Sequence, residues 1–296
     1  MKYSFSKLLD RCAVENAPIW RVILEWEHEL TGASQSDILS RMDCRYEVMR
    51  HSAHEALGEP MDTAGELITG CAKMQYDYAG KTQGLCGGTI NTLMALALSV
   101  SETNAAMGRV CACPTGGSGG IVPSVLCTLE MERGFSWEEI LHALLTASGV
   151  GAVIMENATV SGAEGGCQAE CGAAAAMAAA AAVFLMGGTP EQSCHAVSIS
   201  LMNIMGLVCD PIAGLVQIPC AQRNASQAVN AMLSADMALA GMKSPIPADE
   251  VVDAMYNVGR AMPRELRETA MGGLAATKTA KELERRVFTV AQRGSS

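Results

Sequence analysis

The segment from Gln168 to Met186 restricts the possible folds more than any other part of the chain, because alanine dominates it. It contains the sequence QAECGAAAAMAAAAAVFLM and follows the glycine pair of SGAEGGC at 161–167. Alanine is the strongest helix former, so this stretch predicts a helix. Glu170 and the weak transfer of alanine into lipid argue against a membrane span. Hydrophobic residues make up 49% of the chain and aromatic residues only 4%, which favours close packing of helices.

Helical patterns also fill most of the remaining sequence. Capping-box residues at 136–139 and a Thr-Pro-x-Gln start at 189–192 mark two helix N-termini. We expect Ser36 to cap the helix that follows it, and Gly149 and Gly259 to end theirs. No series of alternating apolar and polar runs joined by hairpin turns is present, which argues against a large sheet. The prediction is an all-α fold with one helical catalytic domain over 1–296, and a soft boundary near 58–60 is the alternative.

Short breaks rich in Gly, Pro and Cys separate these helices and are the most informative pattern. Such breaks expose backbone N–H groups and allow close approach, so functional groups concentrate there. We expect them to converge on one metal-cluster site. They are GLCGG at 84–88, CACPTGGSGGIVP at 111–123, SGAEGGCQ at 161–168, CDPIAG at 209–214 and QIPC at 217–220.

Charge and cysteine usage exclude several classes of protein. The net charge is -10 and no run of Lys or Arg follows a phosphate backbone, so nucleic acid is excluded as a partner. The first twenty residues lack the apolar region and cleavage site of a signal peptide, and we expect a cytoplasmic protein with no membrane partner. Twelve cysteines without a secretory signal argue against structural disulfides, and no C-x-x-C pair is present.

The loop PTGGSGG at 114–120 predicts an anion site. Its glycines can adopt positive φ and form a nest of N–H donors at the start of the next helix. The loop lacks the Gly-Lys-Ser/Thr ending of a nucleotide-binding P-loop, so a carboxylate or a single phosphate fits better than a triphosphate. A glycine-rich connection needed only for packing is the alternative.

Cysteines within the breaks are candidate metal ligands. Cys167 stands at the start of a helix, where the backbone dipole favours the thiolate that a metal needs. Cys209 and Cys220 also lie at helix ends, and three such thiolates could hold an iron-sulfur cluster or a zinc with one open position. The residues alone leave the choice open, because buried Cys is more often an inert packing residue. Competing cysteines in or near the breaks are Cys86, Cys111, Cys113 and Cys171.

Several strings in fixed order resemble the alpha chain of the iron-sulfur-dependent L-serine dehydratases of the two-subunit bacterial type. The resemblance covers about residue 100 to about residue 288. The strings that carry it are NAAMGRVCACPTGGSGGIVPSVL, SGAEGGCQAECG, GTPEQ, GLVCDPIAGLVQIPCAQRNA and ELRETAMGGLAAT.

The resemblance implies a cofactor, a substrate and a partner. It implies that Cys167, Cys209 and Cys220 hold a [4Fe-4S] cluster whose fourth iron has no protein ligand. The open iron would act as a Lewis acid in removing water from L-serine, giving pyruvate and ammonia in amino-acid catabolism and gluconeogenesis. A smaller beta subunit is expected to complete a heterodimer. We assign Thr115, Gly116, Ser118 and Gly119 to binding the substrate carboxylate.

Two departures from the family pattern affect the substrate site, and the general base stays unassigned. This chain has Pro-Thr-Gly-Gly where many members have Pro-Thr-Asn-Gly, and LITGCAKMQ at 67–75 matches a Thr-Gly-Gly-Asp-Ala-x-Lys stretch only loosely. All five histidines are interpreted as structural or solvated. Four of them are His51, His54, His142 and His195, and the alternative bases are Lys73 and Lys278.

Other functions explain parts of the same pattern. L-Cysteine desulfidation and L-threonine deamination use the same chemistry with another leaving group or side chain. A pyridoxal-phosphate dehydratase would also use the glycine loop but would leave the cysteines without a role. A non-catalytic redox sensor would use the cysteines without an open coordination position.

Overall fold

The computed structural model describes residues 3–81 and 84–293, with side chains to residue 289. Thirteen α-helices occur in these ranges, and extended pairing there is limited to one bridge between Cys209 and Arg267. The prediction of an all-α fold is confirmed. The helices are α1 (Phe5–Glu15), α2 (Ile19–Thr31), α3 (Gln35–Gly58), α4 (Cys71–Ala79), α5 (Gly87–Ala105), α6 (Ile121–Arg133), α7 (Trp137–Asn157), α8 (Gly162–Gly165), α9 (Ala173–Leu185), α10 (Pro190–Ile204), α11 (Cys220–Leu239), α12 (Ala248–Ala261) and α13 (Lys278–Arg293).

The alanine-rich helix α9 is the centre of the fold. It packs against α6, α7, α10 and α11, and nearly all its side chains are buried. Small side chains let these helices approach closely, which gains dispersion contacts without large aromatic residues. By length and composition, Trp137–Asn157 and Gln168–Leu185 are apolar enough to span a membrane, but 61% and 89% of their most apolar windows are buried inside the protein. They are core helices.

The predicted helix starts are largely correct. Both capping boxes form, with Ser136 accepting from the Glu139 N–H and Thr189 accepting from the Gln192 N–H. The cap of α3 is Ser34 rather than Ser36. Ser34 has an extended backbone and accepts from the N–H of Asp37 at 3.1 Å, which starts the helix two residues before the predicted position.

The prediction that Gly149 and Gly259 end their helices is wrong. Helix α7 continues past Gly149 to Asn157, and α12 continues past Gly259 to Ala261. Both glycines lie at close contacts between elements. A Cβ at Gly149 would collide with the Ile23 side chain, and one at Gly259 would lie 2.7 Å from the Cα of Gly165. Here glycine serves packing rather than helix termination.

One hydrophobic core includes buried residues on both sides of the 58–60 segment. Leu57 and Ala53 belong to the same cluster as Leu93 and Leu96 of α5. The assignment of 1–296 to a single catalytic domain stays a prediction.

Candidate active site

Cys167 lies just before a π-helical turn, Gln168–Gly172, that leads into α9, and its side chain is buried. The fully buried Gln168 side chain holds this turn in place. Its amide nitrogen donates to the carbonyl oxygens of Gly165 and Met255, each at 2.9 Å. Its amide oxygen accepts from the N–H of Gly206 at 2.8 Å. Because Gly206 lies in the turn before the second cysteine, Gln168 connects two of the cysteine segments.

Cys209 is buried on an extended segment that pairs with the chain after α12. Its N–H donates to the carbonyl oxygen of Leu266 at 2.9 Å, and its carbonyl oxygen accepts from the N–H of Glu268 at 2.7 Å. Because the Cys209 N–H and carbonyl oxygen are both hydrogen-bonded to the same neighbouring segment, the backbone that carries the thiol is held in place.

The Arg223 side chain attaches the Cys209 segment to α11. Its guanidinium is only 14% exposed and donates to the Asp210 carboxylate at 2.8 Å and to the Val208 carbonyl oxygen at 2.7 Å. Asp210 also accepts from the N–H of Leu274 at 2.7 Å. Arg223 lies in the first turn of α11, three residues after Cys220. The same ion pair therefore holds two cysteine segments and the segment before α13.

Asn224 attaches the glycine loop to the third cysteine. Its side chain is 1% exposed, and its amide nitrogen donates to the carbonyl oxygens of Gly117 at 2.7 Å and Cys220 at 2.8 Å. Its amide oxygen accepts from the N–H of Gly120 at 2.9 Å. The loop at 114–120 is thus fixed against the first turn of α11.

The three thiols lie close enough to influence one another's ionisation. Burial is the main cause that raises the pKa of Cys209, and the other two thiols are among the groups that raise it further. Burial also raises the pKa of Cys220 to about 12, with a contribution from Cys167. A hydrogen bond from Cys171, helped by the nearby Arg223 guanidinium, lowers the pKa of Cys167. The three predicted metal ligands therefore influence one another electrostatically, but among the described residues the set with ligand atoms within 4.8 Å of one another is Glu170, Cys209 and Glu268 rather than the three cysteines.

The competing cysteines divide into two groups. Cys171 is fully buried beside Cys167 and hydrogen-bonds to it. Cys111 and Cys113 line a separate cavity of about 270 Å³ between α3 and α7, and Cys86 is exposed.

The glycine loop presents free backbone donors rather than free hydroxyls. Ser118 is fully buried, and its hydroxyl group bonds within the loop to Thr115 and to the Cys113 carbonyl oxygen. The N–H of Gly119 is directed to the carbonyl oxygen of Gly116 at 3.4 Å. Among the described residues, the N–H groups of Gly116 and of the following Gly117 make no hydrogen bond. Adjacent free donors of this kind suit a carboxylate.

Two carboxylates lie beside this loop and Cys209. The Thr115 hydroxyl donates to Glu170 Oε1 at 2.8 Å, and the Cys209 thiol lies 3.7 Å from Glu170 Oε2. Ligand atoms of Glu170, Cys209 and Glu268 all lie within 4.8 Å of one another. Burial raises the pKa of Glu170, and the hydrogen bond from Thr115 opposes this shift.

Comparison with known proteins decides the family. A family model described as "Serine dehydratase alpha chain" matches residues 14–275, most of the chain. The chain belongs to this family. It is 46% identical over 279 residues to "L-serine dehydratase, alpha chain" of Peptoniphilus asaccharolyticus, a match that covers 94% of this chain and 96% of that relative.

Further relatives agree with this assignment. The chain is 47% identical over 267 residues to "Probable L-serine dehydratase, alpha chain" of Bacillus subtilis, covering 90% of this chain and 89% of the relative. It is 45% identical over 283 residues to "L-serine dehydratase TdcG" of Escherichia coli, covering 92% of this chain and 61% of that longer protein. The enzyme class of this serine dehydratase alpha chain is that of an L-serine ammonia-lyase.

Five residues of this site were not predicted from the sequence. Each lies within four residues of a predicted cysteine or inside the predicted loop, so a polar residue in the first turn after a break cysteine was the available signal. They are Gly117, Gln168, Glu170, Arg223 and Asn224.

Four of the residues considered as bases, His51, His54, His142 and Lys73, lie on helices outside the cysteine breaks. His51 and His54 are on α3, and the His142 ring stacks on Trp20 with ring centroids 3.6 Å apart. Burial lowers the pKa of His142. Lys73 pairs with Asp77 on the surface of α4. Their packing and pairing agree with structural or solvated roles.

Proposed function

We propose that this chain is the cluster-binding catalytic subunit of a [4Fe-4S]-dependent L-serine dehydratase, with Cys167, Cys209 and Cys220 as ligands. The observation that carries this proposal is that Gln168 and Arg223 join the three cysteine segments, with Cys167 and Cys209 buried and Cys220 half-buried. Thiolates are the ligands that iron-sulfur clusters take, and three of them leave one iron without a protein sulfur. The Arg223 cation beside Cys167 suits a site that gathers negative charge. The donor set therefore fits such a cluster.

When bound, a cluster of this kind supplies a Lewis acid that makes the β-hydroxyl a better leaving group. The chain provides the site around it. The free N–H groups of Gly116 and Gly117 would bind the substrate carboxylate, and Thr115, Ser118 and Gly119 would hold the loop in the binding conformation. This proposal keeps Gly116 of the four loop residues assigned from the sequence as a direct contact, adds Gly117, and gives Thr115, Ser118 and Gly119 a positioning role.

The overall reaction is an elimination. Loss of the α-proton and the β-hydroxyl of L-serine as water leaves aminoacrylate. Its imine tautomer then reacts with water to give pyruvate and ammonia. The residue that takes the α-proton stays unassigned.

We also propose that the chain works in the cytoplasm with a smaller beta subunit. The description of relatives as alpha chains supports a partner subunit. TdcG is longer than this chain, and the extra length in that relative leaves room for a further domain.

Anaerobic purification with and without a co-expressed beta subunit tests this function. We expect iron and sulfide in the protein, a broad visible absorbance bleached by dithionite, and pyruvate formation from L-serine. L-Threonine and L-cysteine serve as alternative substrates in the same assay. A preparation without iron whose activity is abolished by borohydride would instead indicate a pyridoxal-phosphate enzyme and contradict the proposal.

A further inference from the structure

Glu170 occupies the space between the glycine loop and the cysteine site. One carboxylate oxygen accepts from the Thr115 hydroxyl at 2.8 Å, and the other lies 3.7 Å from the Cys209 sulfur. A Cβ added at Gly117 would lie 3.4 Å from Glu170 Oε1, so this carboxylate lies beside the Gly117 backbone with room for only a small group between them. A small molecule bound by the loop would therefore lie next to the Glu170 carboxylate.

The charge around Glu170 is unbalanced. Among the described residues, no Lys, Arg or His lies within salt-bridge distance of Glu170 or of the neighbouring Glu268. The buried cation of the site, Arg223, is paired with Asp210 instead. A partly buried carboxylate without a cation is costly, so this pair of carboxylates is suited to a cationic group that arrives with the substrate.

The donor set suits an ammonium group better than a free metal ion. Mg²⁺ and Ca²⁺ take six or more oxygen ligands, whereas the group here offers two carboxylates and a thiol. An ammonium group has three N–H donors and is satisfied by two or three acceptors. An α-amino acid carries its ammonium and carboxylate on one carbon, which matches a carboxylate acceptor in contact with a nest of N–H donors.

We propose that Glu170 binds the α-ammonium group of the substrate and thereby makes the enzyme select amino acids over hydroxy acids. The inference rests on the proposed function, because it uses the same substrate site. Glu268, which is exposed, contributes the weaker second acceptor.

The test is Glu170→Gln, which keeps an acceptor for the Thr115 hydroxyl but removes the charge. On the anaerobic holoenzyme, the apparent affinity for L-serine is taken from KM for pyruvate formation, and that for glycerate, in which a hydroxyl replaces the ammonium, from its inhibition constant against L-serine. Charge-assisted hydrogen bonds contribute about 1.5–3 kcal/mol, so serine affinity should fall roughly 10- to 100-fold while glycerate affinity stays equal or rises. Glu164→Gln is the matched control, because Glu164 lies six residues away and bonds to Thr159 at 2.6 Å.

Three results would overturn the proposal. Equal losses for serine and glycerate would indicate a structural role for Glu170. Loss of iron from Glu170→Gln would make Glu170 a metal ligand. Affinities for serine and for glycerate that both stay at their wild-type values would show that Glu170 does not take part in recognition. Glu268→Gln, at an exposed position, should lower the ratio of serine affinity to glycerate affinity by about 3-fold. This variant provides the test if Glu170→Gln does not fold. A wild-type holoenzyme that binds neither compound would contradict the proposed function rather than the role of Glu170.

Discussion

The buried cysteines of this protein belong to two regions that differ in their surroundings rather than in their burial. Cys127 in α6 and Cys194 in α10 lie inside helices within the core. Burial raises the pKa of Cys127 to about 12 and also raises that of Cys194. Cys167 and Cys209 are equally buried but lie at breaks, among polar side chains that are themselves hydrogen-bonded. Burial alone does not separate these two groups of thiols, whereas a layer of hydrogen-bonded polar side chains around Cys167 and Cys209 does.

The polar layer is continuous around the break cysteines. Gln168 reaches the turn before Cys209, Arg223 holds both that segment and α11, and Asn224 joins α11 to the glycine loop. Thr115 closes the set by donating to Glu170, two residues after Gln168. Among the described residues, the helix-interior cysteines have fewer polar contacts: the Tyr46 hydroxyl lies 3.8 Å from the Cys127 sulfur and donates to Glu130. We expect substitutions in the two regions to have separable effects.

The largest difference should follow removal of the thiols themselves. Replacing Cys167, Cys209 or Cys220 with Ala should reduce pyruvate formation to background and remove iron, because each supplies one ligand in the proposed site. Iron and sulfide content of the anaerobically purified variants provides the measurement.

The matched controls are Cys127→Ala and Cys194→Ala. Each should keep its iron and its activity while losing about 1 kcal/mol of stability from the small cavity. Full iron retention in any one of the three break variants would exclude that cysteine from the ligand set.

A second difference concerns the close contacts between backbones. Gly259 in α12 packs on the Cys167 segment, and an added Cβ would lie 2.7 Å from the Cα and 2.9 Å from the carbonyl oxygen of Gly165. Backbone cannot move aside as a flexible side chain can, so Gly259→Ala should cost about 1–3 kcal/mol of unfolding free energy in urea titrations. Gly58 ends α3 with no heavy atom within 4 Å of an added Cβ. Gly58→Ala should therefore be neutral or stabilise by up to about 1 kcal/mol. Equal losses in both variants would show that packing against the break is not the cause.

The sequence predicted candidate functional segments, but not how these segments contact one another. Gly, Pro and Cys mark breaks through local backbone chemistry, and that signal located the loop at 114–120 and all three cysteine segments. Their convergence depends on side chains that bond over long separations, such as Asn224 with Gly117, 107 residues earlier. The same local rules misassigned Gly149 and Gly259, because the sequence shows only a glycine in a helical pattern. It does not show whether that glycine ends the helix or lies where two helices cross. Only the packed structure separates these two uses.

Two buried asparagines on α11 test the polar layer directly. Asn224 holds the glycine loop, while Asn230 is 6% exposed and bonds to the Ser200 carbonyl oxygen on α10. Asn224→Asp loses the donors to Gly117 and places a negative charge beside the loop, so KM for L-serine should rise about 10-fold with a smaller change in kcat. Amide hydrogen exchange at Gly120 should not become faster, because the aspartate keeps the oxygen that accepts this N–H.

Asn230→Asp should lower the free energy of unfolding, because it loses the donors to Ser200, but should leave KM for L-serine unchanged. Steady-state kinetics and exchange measurements on both variants provide the comparison. An equal rise of KM in Asn230→Asp would assign the effect to general loosening of α11.

The smallest expected effect is a pH dependence of stability caused by the buried Cys194 thiol. Burial, with the charge of Asp249 adding to it, raises the pKa of Cys194 above the value of about 8.5 for a free thiol. Above that pH the unfolded state loses the thiol proton while the folded state keeps it, so the thiol destabilises the fold increasingly as pH rises. Between pH 8 and 9.5 this contribution should amount to about 1 kcal/mol. The stability gap between wild type and Cys194→Ala, measured by urea unfolding, should therefore narrow across this range. Parallel curves for wild type and Cys194→Ala would show that the Cys194 thiol ionises without cost in the folded core.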